Sequence, residues 1–203
     1  MEDKDIELLW KSCWEQELKS RLNQTDVPKE MWKAGGRVSK TYPNKEDEKW
    51  WAKNGVKQLA NWIQFRNNNW NIFDIDGVPA IEIDILAMMD GIPVKMQIDR
   101  VMVTPEGELV IVDIKSGRTT PTWLQLAFYA AGMDIVFGIR PKWGTYWMSR
   151  TGVAGDLIDL DKYPTKDIVS LVKQFEKARK NEVFLPNLSH CSRCGFTSVC
   201  KWK

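Results

Sequence analysis

The sequence predicts one domain of mixed helices and strands, of the α/β or α+β class. Apolar residues recur at spacings of three and four in the first third of the chain and again near its end. From residue 80 the spacing changes: Ile81, Ile83 and Ile85 alternate with acidic residues at the strand spacing of two. With 203 residues, the chain has the size of a single domain. An order of helices, strand meander, helix, strand and helix is typical of these two classes.

Two helices are predicted before the strands. The second covers about residues 45–65 and contains Gly55, which weakens a helix. The first runs from Lys4 to Leu22, and its apolar stripe consists of Ile6, Trp10, Cys13, Trp14 and Leu18.

Three strands joined by tight turns follow. Asp90-Gly91 is a strong hairpin signal after the first strand. The second strand runs from about Val94 to Val103, and Thr104-Pro105-Glu106-Gly107 turns the chain again. The third, Glu108 to Lys115, is apolar on both faces over most of its length, so we expect it to be central and buried.

The remaining chain predicts a helix from about Pro121 to Val136 and a strand near Thr145 to Met148. A further strand is expected near Val153 to Leu160. The last helix covers about Pro164 to Asn181, with one apolar face made of Ile168, Leu171, Val172 and Phe175.

Composition narrows the function classes. The formal net charge is only +2, so no overall basic field indicates a nucleic-acid partner, and any such contact must come from local Lys and Arg groups. No apolar run approaches the roughly 20 residues of a membrane helix. The charged N-terminus lacks the apolar core of a signal peptide, so we expect a cytoplasmic protein without a membrane partner.

Two acids and a lysine on adjacent strands form the main functional signal. Asp113 and Lys115 are two apart and therefore point to one face, whereas Ile114 points to the core and leaves its backbone carbonyl available. If the strands pair across the turn, Asp99 and Asp113 are equally distant from it within a residue or two. Both carboxylates would then reach one cation, and such hard oxygen ligands suit Mg²⁺ or Mn²⁺. The alternative is two strand-end acids with a salt-bridging lysine.

The helix after these strands adds Gln125 and Tyr129, which are four apart and share a face. A metal held by the acids would activate water and neutralise charge on a phosphate, and Lys115 would orient that water or stabilise the developing charge.

Three of the four cysteines lie near the C-terminus as Cys191, Cys194 and Cys200, while Cys13 is almost a chain length away. Metal ligation is the first alternative to consider in a cytosolic protein. One distant and three clustered thiolates fit an iron–sulfur cluster better than a zinc site, although taken alone Cys13 is typical of a buried apolar cysteine.

These motifs resemble those of the PD-(D/E)XK nucleases, and among them the RecB-like exonucleases. The corresponding stretches are Met96-Gln97-Ile98-Asp99-Arg100, Val110-Ile111-Val112-Asp113-Ile114-Lys115-Ser116-Gly117 and Gln125-Leu126-Ala127-Phe128-Tyr129. The family usually has glycine where Gln97 stands, and an acid on the preceding strand, where Glu82 fits. The resemblance implies an α/β, restriction-endonuclease-like core, a mixed central sheet flanked by helices.

By this resemblance residues 1–203 form one nuclease domain, with an N-terminal helical part (1–75), a nuclease core (78–160) and a C-terminal helix with a cysteine-rich segment (161–203). The implied catalytic residues are Asp99, Asp113, Lys115, Glu82, Gln125 and Tyr129, and the implied metal ligands are Asp99, Asp113 and the carbonyl of Ile114. Lys95, Arg100, Arg118 and Trp123 would track a DNA backbone.

The chain departs from the family in one respect. Many relatives carry a metal-binding histidine on an N-terminal helix, but the only histidine here is His190. The second helix offers substitutes: Glu46, Asp47, Glu48 and Gln58.

The cysteine pattern resembles the iron-staple branch of the family, found in the AddB nuclease domain, in exonucleases associated with CRISPR adaptation and in phage relatives. This implies a 4Fe–4S cluster on Cys13, Cys191, Cys194 and Cys200 that ties the first helix to the last segment. The alternative is a zinc site in which His190 is the fourth ligand and Cys13 is merely buried.

The resulting hypothesis is a Mg²⁺- or Mn²⁺-dependent DNA exonuclease acting on single-stranded DNA or DNA ends, in the cytoplasm of a bacterial, archaeal or phage-infected cell. The alternatives are a catalytically weak DNA-binding or end-processing subunit, working with recombination or CRISPR-adaptation proteins, and a zinc-stabilised interaction module.

Overall fold

The computed structural model describes residues 3–32, 39–40, 43, 45–66, 70–117, 122–183, 195 and 198–200. Helices α1 (Asp3–Gln24) and α2 (Glu48–Arg66) lie close to their predicted positions. The two helices meet where the Trp10 indole covers Gly55, and a Cβ added at Gly55 would lie 1.8 Å from the Trp10 ring. The glycine that weakens α2 is therefore what allows α1 to approach it.

The sheet is mixed and built around a three-strand meander. In the described part of the chain seven strands form the main sheet, in the order β1-β5-β6-β7-β8, with β4 also pairing with β5 and β9 with β7. Strands β2 and β3 form a separate hairpin. The strands are β1 (Asn71–Ile72), β2 (Asp74–Ile75), β3 (Val78–Pro79), β4 (Ile81–Met89), β5 (Ile92–Val103), β6 (Leu109–Lys115), β7 (Trp143–Met148), β8 (Val153–Ala154) and β9 (Ile158–Asp159).

The predicted meander and its turns are confirmed in β4, β5 and β6. Asp90 and Gly91 both have positive φ, at 53° and 77°, as a two-residue type I′ hairpin turn requires. Strand β6 lies between antiparallel β5 and parallel β7, and Val110, Ile111 and Val112 have no exposed surface. The strand expected at residues 153–160 is instead two short strands, β8 and β9.

Helix α3 (Leu124–Phe137) connects the parallel strands β6 and β7, and α4 (Thr165–Lys180) follows the sheet. The predicted start of α3, Pro121, lies outside the described residues. In α4, Ile168 and Val172 are buried as expected, but Leu171 and Phe175 are 41% and 72% exposed. The predicted apolar face is too wide, because only the side of α4 that carries the buried pair packs on the core.

Both faces of the sheet are covered by helices. One apolar cluster lies between the sheet and helices α3 and α4, and it contains the fully buried Ile98 and Ile111. The other lies on the α2 side and contains Phe65, Val112 and Trp147. The expected α/β architecture, a mixed sheet flanked by helices, is confirmed. None of the described helices combines the length and apolar character needed to cross a membrane.

Candidate active site

The candidate site lies where strands β5 and β6 separate. Their last paired residues are Arg100 and Val112, so the next position in the same register would set Asp99 opposite Asp113. The Ile114 amide N–H instead donates to Asp99 Oδ2, at 2.7 Å. The Asp99 carboxylate thus occupies the end of the ladder, and the expected proximity of the two acids is seen in the structure.

Asp113 is almost completely buried, with 1% of its surface exposed. Its Oδ1 accepts a hydrogen bond of 3.1 Å from Gln125 Nε2. Its Oδ2 forms a 2.5 Å ion pair with Lys115 Nζ, and no other group in the described part of the chain donates a hydrogen bond to this oxygen. Burial raises the pKa of Asp113, Lys115 opposes that change, and the negative charge of Asp99 adds to it. The environment therefore disfavours the carboxylate charge unless a further cation is near.

Lys115 shares its sheet face with Asp113, as strand parity predicts. Its ammonium lies 5.7 Å from the centroid of the Tyr146 ring, a cation–π arrangement. A quarter of the side chain is exposed, so Nζ is held between the buried acid and the solvent side of the site.

Gln125 and Tyr129 lie in the first half of α3, above the acids. Gln125 Nε2 donates to Tyr129 Oη at 2.7 Å as well as to Asp113. Burial is the main reason that the pKa of Tyr129 is raised; the Gln125 hydrogen bond opposes it, and the charges of Asp113 and Asp99 add to it. The Tyr129 hydroxyl therefore keeps its proton and remains a donor.

Tyr146 is a site residue that the sequence reasoning missed. It is the parallel-strand partner of Asp113, and its hydroxyl donates to the Thr122 carbonyl at 2.7 Å, which fixes the segment before α3. Burial, followed by the charge of Asp113 and the proximity of Tyr129, raises the pKa of Tyr146. The sequence signal was only its place in the strand after α3, and nothing local reveals the register that sets it beside Asp113.

The carboxylate of Glu82 is engaged by an arginine. Ladder pairs on either side of Glu82 place it opposite Asp99, but its φ is 49° and its carboxylate pairs with Arg100 Nη1 at 3.0 Å. Arg100 in turn contacts the Asp99 carbonyl and lies 6.0 Å from the Trp62 ring centroid. Glu82 and Arg100 thus bind each other on the α2 side of the sheet.

Two of the four candidate substitutes for the missing histidine have local partners. Asp47 Oδ1 accepts from the Trp50 amide at 3.0 Å and caps the start of α2. Glu48 forms a 2.6 Å ion pair with Lys29. Asp47 therefore stabilises the start of α2, and Glu48 ties that start to the segment around Lys29.

The other two, Glu46 and Gln58, lie nearer to the site. Gln58 Oε1 accepts from the Ser149 hydroxyl at 2.5 Å, and the Ser149 amide donates to the Lys115 carbonyl at 3.0 Å. Glu46 is buried and forms a 2.5 Å ion pair with Arg150, whose Nε donates to the carbonyl that follows Lys115. These residues brace the end of β6 from the α2 side.

Within the described part of the chain, no three His, Cys, Asp or Glu side chains converge as a metal cage would require. The site instead offers the carboxylates of Asp99 and Asp113 and the backbone carbonyl of Ile114. Such a sparse set suits Mg²⁺, which keeps several waters and commonly binds through one or two carboxylates plus substrate phosphates.

Only part of the predicted cysteine set lies in the described residues. Cys13 is exposed, so its expected place on the apolar stripe of α1 is wrong. The less exposed apolar residues of this helix are Ile6, Trp10, Trp14 and Leu18, at a spacing of four. Cys200 is a half-buried free thiol. Cys191, Cys194 and His190 lie outside the described residues, as does Arg118.

Trp123 immediately precedes α3 and stacks on Tyr163, with ring centroids 3.8 Å apart and planes within 4°. One face of this indole is therefore covered by the protein itself. Lys95 is exposed on β5.

Comparison with known proteins places the chain among nucleases. The model of a family described as the PD-(D/E)XK nuclease superfamily matches residues 2–201. The chain is 33% identical over 155 residues to the Gene 69 protein of Mycobacterium phage D29, an alignment that covers 72% of this chain and 57% of the relative. The Gene 69 protein of Mycobacterium phage L5 is 31% identical over 126 residues, covering 60% and 43%. The chain thus spans about half the length of the curated relatives it matches.

Proposed function

Because this chain belongs to the PD-(D/E)XK nuclease superfamily, we propose that it is a metal-dependent DNA exonuclease that hydrolyses phosphodiester bonds in single-stranded DNA or at DNA ends. The observation that carries the proposal is the meeting of Asp99, Asp113 and Lys115 where β5 and β6 separate. The proposed setting is the cytoplasm of a phage-infected cell, and its support is that the matched relatives are phage proteins.

Asp99, Asp113 and the Ile114 carbonyl would hold Mg²⁺ or Mn²⁺. The buried Asp113 Oδ2 supports this fit, because Lys115 is its only partner among the described residues and burial disfavours the carboxylate charge. A bound divalent cation would lower the pKa of a water molecule and neutralise charge on the phosphate.

The surrounding residues have distinct roles in this proposal. Gln125 fixes the orientation of Asp113 by donating to Oδ1. Lys115 supplies a fixed positive charge beside Asp113, where it can orient the attacking water or stabilise the developing phosphorane charge. Tyr129, kept protonated, can donate a hydrogen bond to a phosphate oxygen. Glu82 has an indirect role through Arg100, which contacts the Asp99 carbonyl.

Exonuclease action predicts a dependence on free ends. With Mn²⁺, linear single-stranded DNA should be degraded to short products, whereas a closed single-stranded circle of the same sequence should remain intact. Gel analysis of end-labelled linear DNA and of stained circles measures both rates. Equal cleavage of the circle would show an endonuclease, and EDTA should stop both reactions.

A second candidate function is a catalytically weak DNA-binding or end-processing subunit acting with recombination or CRISPR-adaptation proteins. Two of the candidate substitutes for the histidine favour this second function. Asp47 accepts a hydrogen bond from the Trp50 amide and Glu48 pairs with Lys29, so neither carboxylate is available as a metal ligand. Tight binding of linear DNA without cleavage stimulated by Mn²⁺ would distinguish this function from the exonuclease.

A 4Fe–4S cluster on Cys13, Cys191, Cys194 and Cys200 completes the proposal, with zinc as the alternative metal. Its support within the described residues is that Cys13 and Cys200 are free thiols and that Cys13 is exposed rather than packed in the core. A cluster would close a loop of almost the whole chain and stabilise the domain.

Anaerobic purification should give a brown protein with visible absorbance and bound iron. Cys13→Ser should lower the iron content and the unfolding temperature, whereas Ser12→Ala, on the neighbouring exposed position, should change neither. Stoichiometric zinc without iron, unaffected by Cys13→Ser, would support the zinc-stabilised site instead.

A further inference from the structure

An open groove of about 400 Å³ runs from the candidate site along the side of α3. It lies between α3 and the stretch of β5 that β6 leaves unpaired, since the β5–β6 ladder stops at Arg100. Val94 and Met96 form one wall, and Leu124 and Phe128 form the other. Its volume falls in the range of about 300–1,000 Å³ that is usual for small-molecule sites.

The groove adjoins the carboxylate cluster through side chains of α3. Gln125 and Tyr129 line the groove, and Gln125 also donates to Asp113. A phosphodiester held at Asp113 and Lys115 would therefore have a neighbouring nucleoside at the mouth of the groove.

The lining fits a nucleobase better than a phosphate or a sugar. Apolar side chains form most of the walls, and one of them is the aromatic ring of Phe128, which is half-buried and so retains an accessible surface. Bases stack on aromatic rings with little regard to sequence. The exposed Lys95 lies on the rim, where an ammonium can pair with the phosphate that follows the base.

We propose that this groove binds one unpaired nucleobase next to the scissile phosphate, stacked on Phe128, with Lys95 on the adjacent phosphate. The inference rests on the proposed function and deepens it: a base within a duplex is covered by its partner and its neighbours, so the strand that enters is single-stranded. Two other aromatic residues could compete, but Tyr129 is buried and one face of the Trp123 ring is already occupied by Tyr163.

The test is equilibrium binding, which does not depend on cleavage. A fluorescent thymidine oligonucleotide is compared with an oligonucleotide of the same length in which every base is absent, both with Ca²⁺ in the Lys115→Ala background. Phe128→Ala should weaken binding of the thymidine oligonucleotide by roughly 5- to 150-fold, the value of one stacked base, and leave binding of the abasic one unchanged. Lys95→Ala should weaken binding of the two oligonucleotides equally. It should also reduce the slope of log affinity against log salt concentration by about one.

Phe128→Trp should preserve binding, which separates stacking from a loss of folding, and Phe175→Ala on the exposed side of α4 is the matched control. Equal affinities of the Phe128→Ala and parent proteins for the thymidine oligonucleotide would overturn the inference, as would a loss caused by Trp123→Leu alone. If DNA binds in this way but the wild-type protein never cleaves it, the result supports base binding in the groove and contradicts the proposed exonuclease function.

Discussion

Replacing Lys115 with alanine is expected to lower the single-turnover rate of DNA cleavage by about 10²- to 10³-fold without weakening Mn²⁺ binding. The ammonium lies 2.5 Å from Asp113 Oδ2, so its removal takes a fixed positive charge away from the reacting phosphate. The same removal relieves the metal of a competing cation, and the affinity for Mn²⁺ should stay the same or rise.

Rapid-mix cleavage of labelled linear DNA and calorimetric titration of Mn²⁺ measure the two quantities separately. Lys173→Ala is the matched control, because this α4 side chain is 57% exposed and pairs with Asp90 in the turn between β4 and β5. If the Lys115→Ala protein cleaves DNA at the wild-type rate, Lys115 takes no part in the chemical step. If the substitution lowers the affinity for Mn²⁺, the role of Lys115 is structural.

Asp113→Asn is expected to change activity and stability in opposite directions. Cleavage should fall to background, because a charged metal ligand is lost. The metal-free protein should become more stable, since the surroundings of Asp113 raise its pKa and so favour a neutral side chain. Asparagine can still accept the hydrogen bond from Gln125.

The pH dependence follows from the same direction of shift. A carboxyl whose pKa is higher in the folded state than in the unfolded state makes the fold less stable as pH rises from its ordinary pKa of 3.8 through the raised value. Thermal unfolding in EDTA across this range should show a stability gain of Asp113→Asn that grows with pH. Exposed Asp156→Asn should show none. A destabilised Asp113→Asn protein would mean that the ion pair with Lys115 is structural.

Much of the site was predictable because strand parity and tight turns are local properties. The positive φ values of Asp90 and Gly91 and the Thr104–Gly107 turn fix where the meander turns. Register then follows by counting, which is why Asp99 and Asp113 were expected at nearly the same level. The opening of the ladder beyond Arg100, where the Asp99 carboxylate accepts from the Ile114 amide, needed the structure.

What escaped the sequence depends on contacts between distant segments. Tyr146 joins the site only through parallel pairing across α3, and Glu46 meets Arg150 across 104 positions of the chain. Cys13 was misplaced for a different reason. Cys13 and Trp14 lie three and four residues after Trp10, and both spacings suit an apolar stripe, but only Trp14 is partly buried in α1. Periodicity indicates that a face exists, and packing decides how wide it is.

The central claim is that Asp99 and Asp113 jointly hold a divalent cation that Lys115 helps to use. Its most direct test is Mn²⁺-dependent release of labelled nucleotides from linear DNA by wild type and Asp99→Asn, side by side. Asparagine can still accept the hydrogen bond from the Ile114 amide, so the end of the ladder should be preserved. We predict that EDTA abolishes release by the wild-type protein. With Mn²⁺, release by the Asp99→Asn protein should be slower than release by the wild type by at least about 10²-fold. Equal release by both proteins, or release that persists in EDTA, would contradict it.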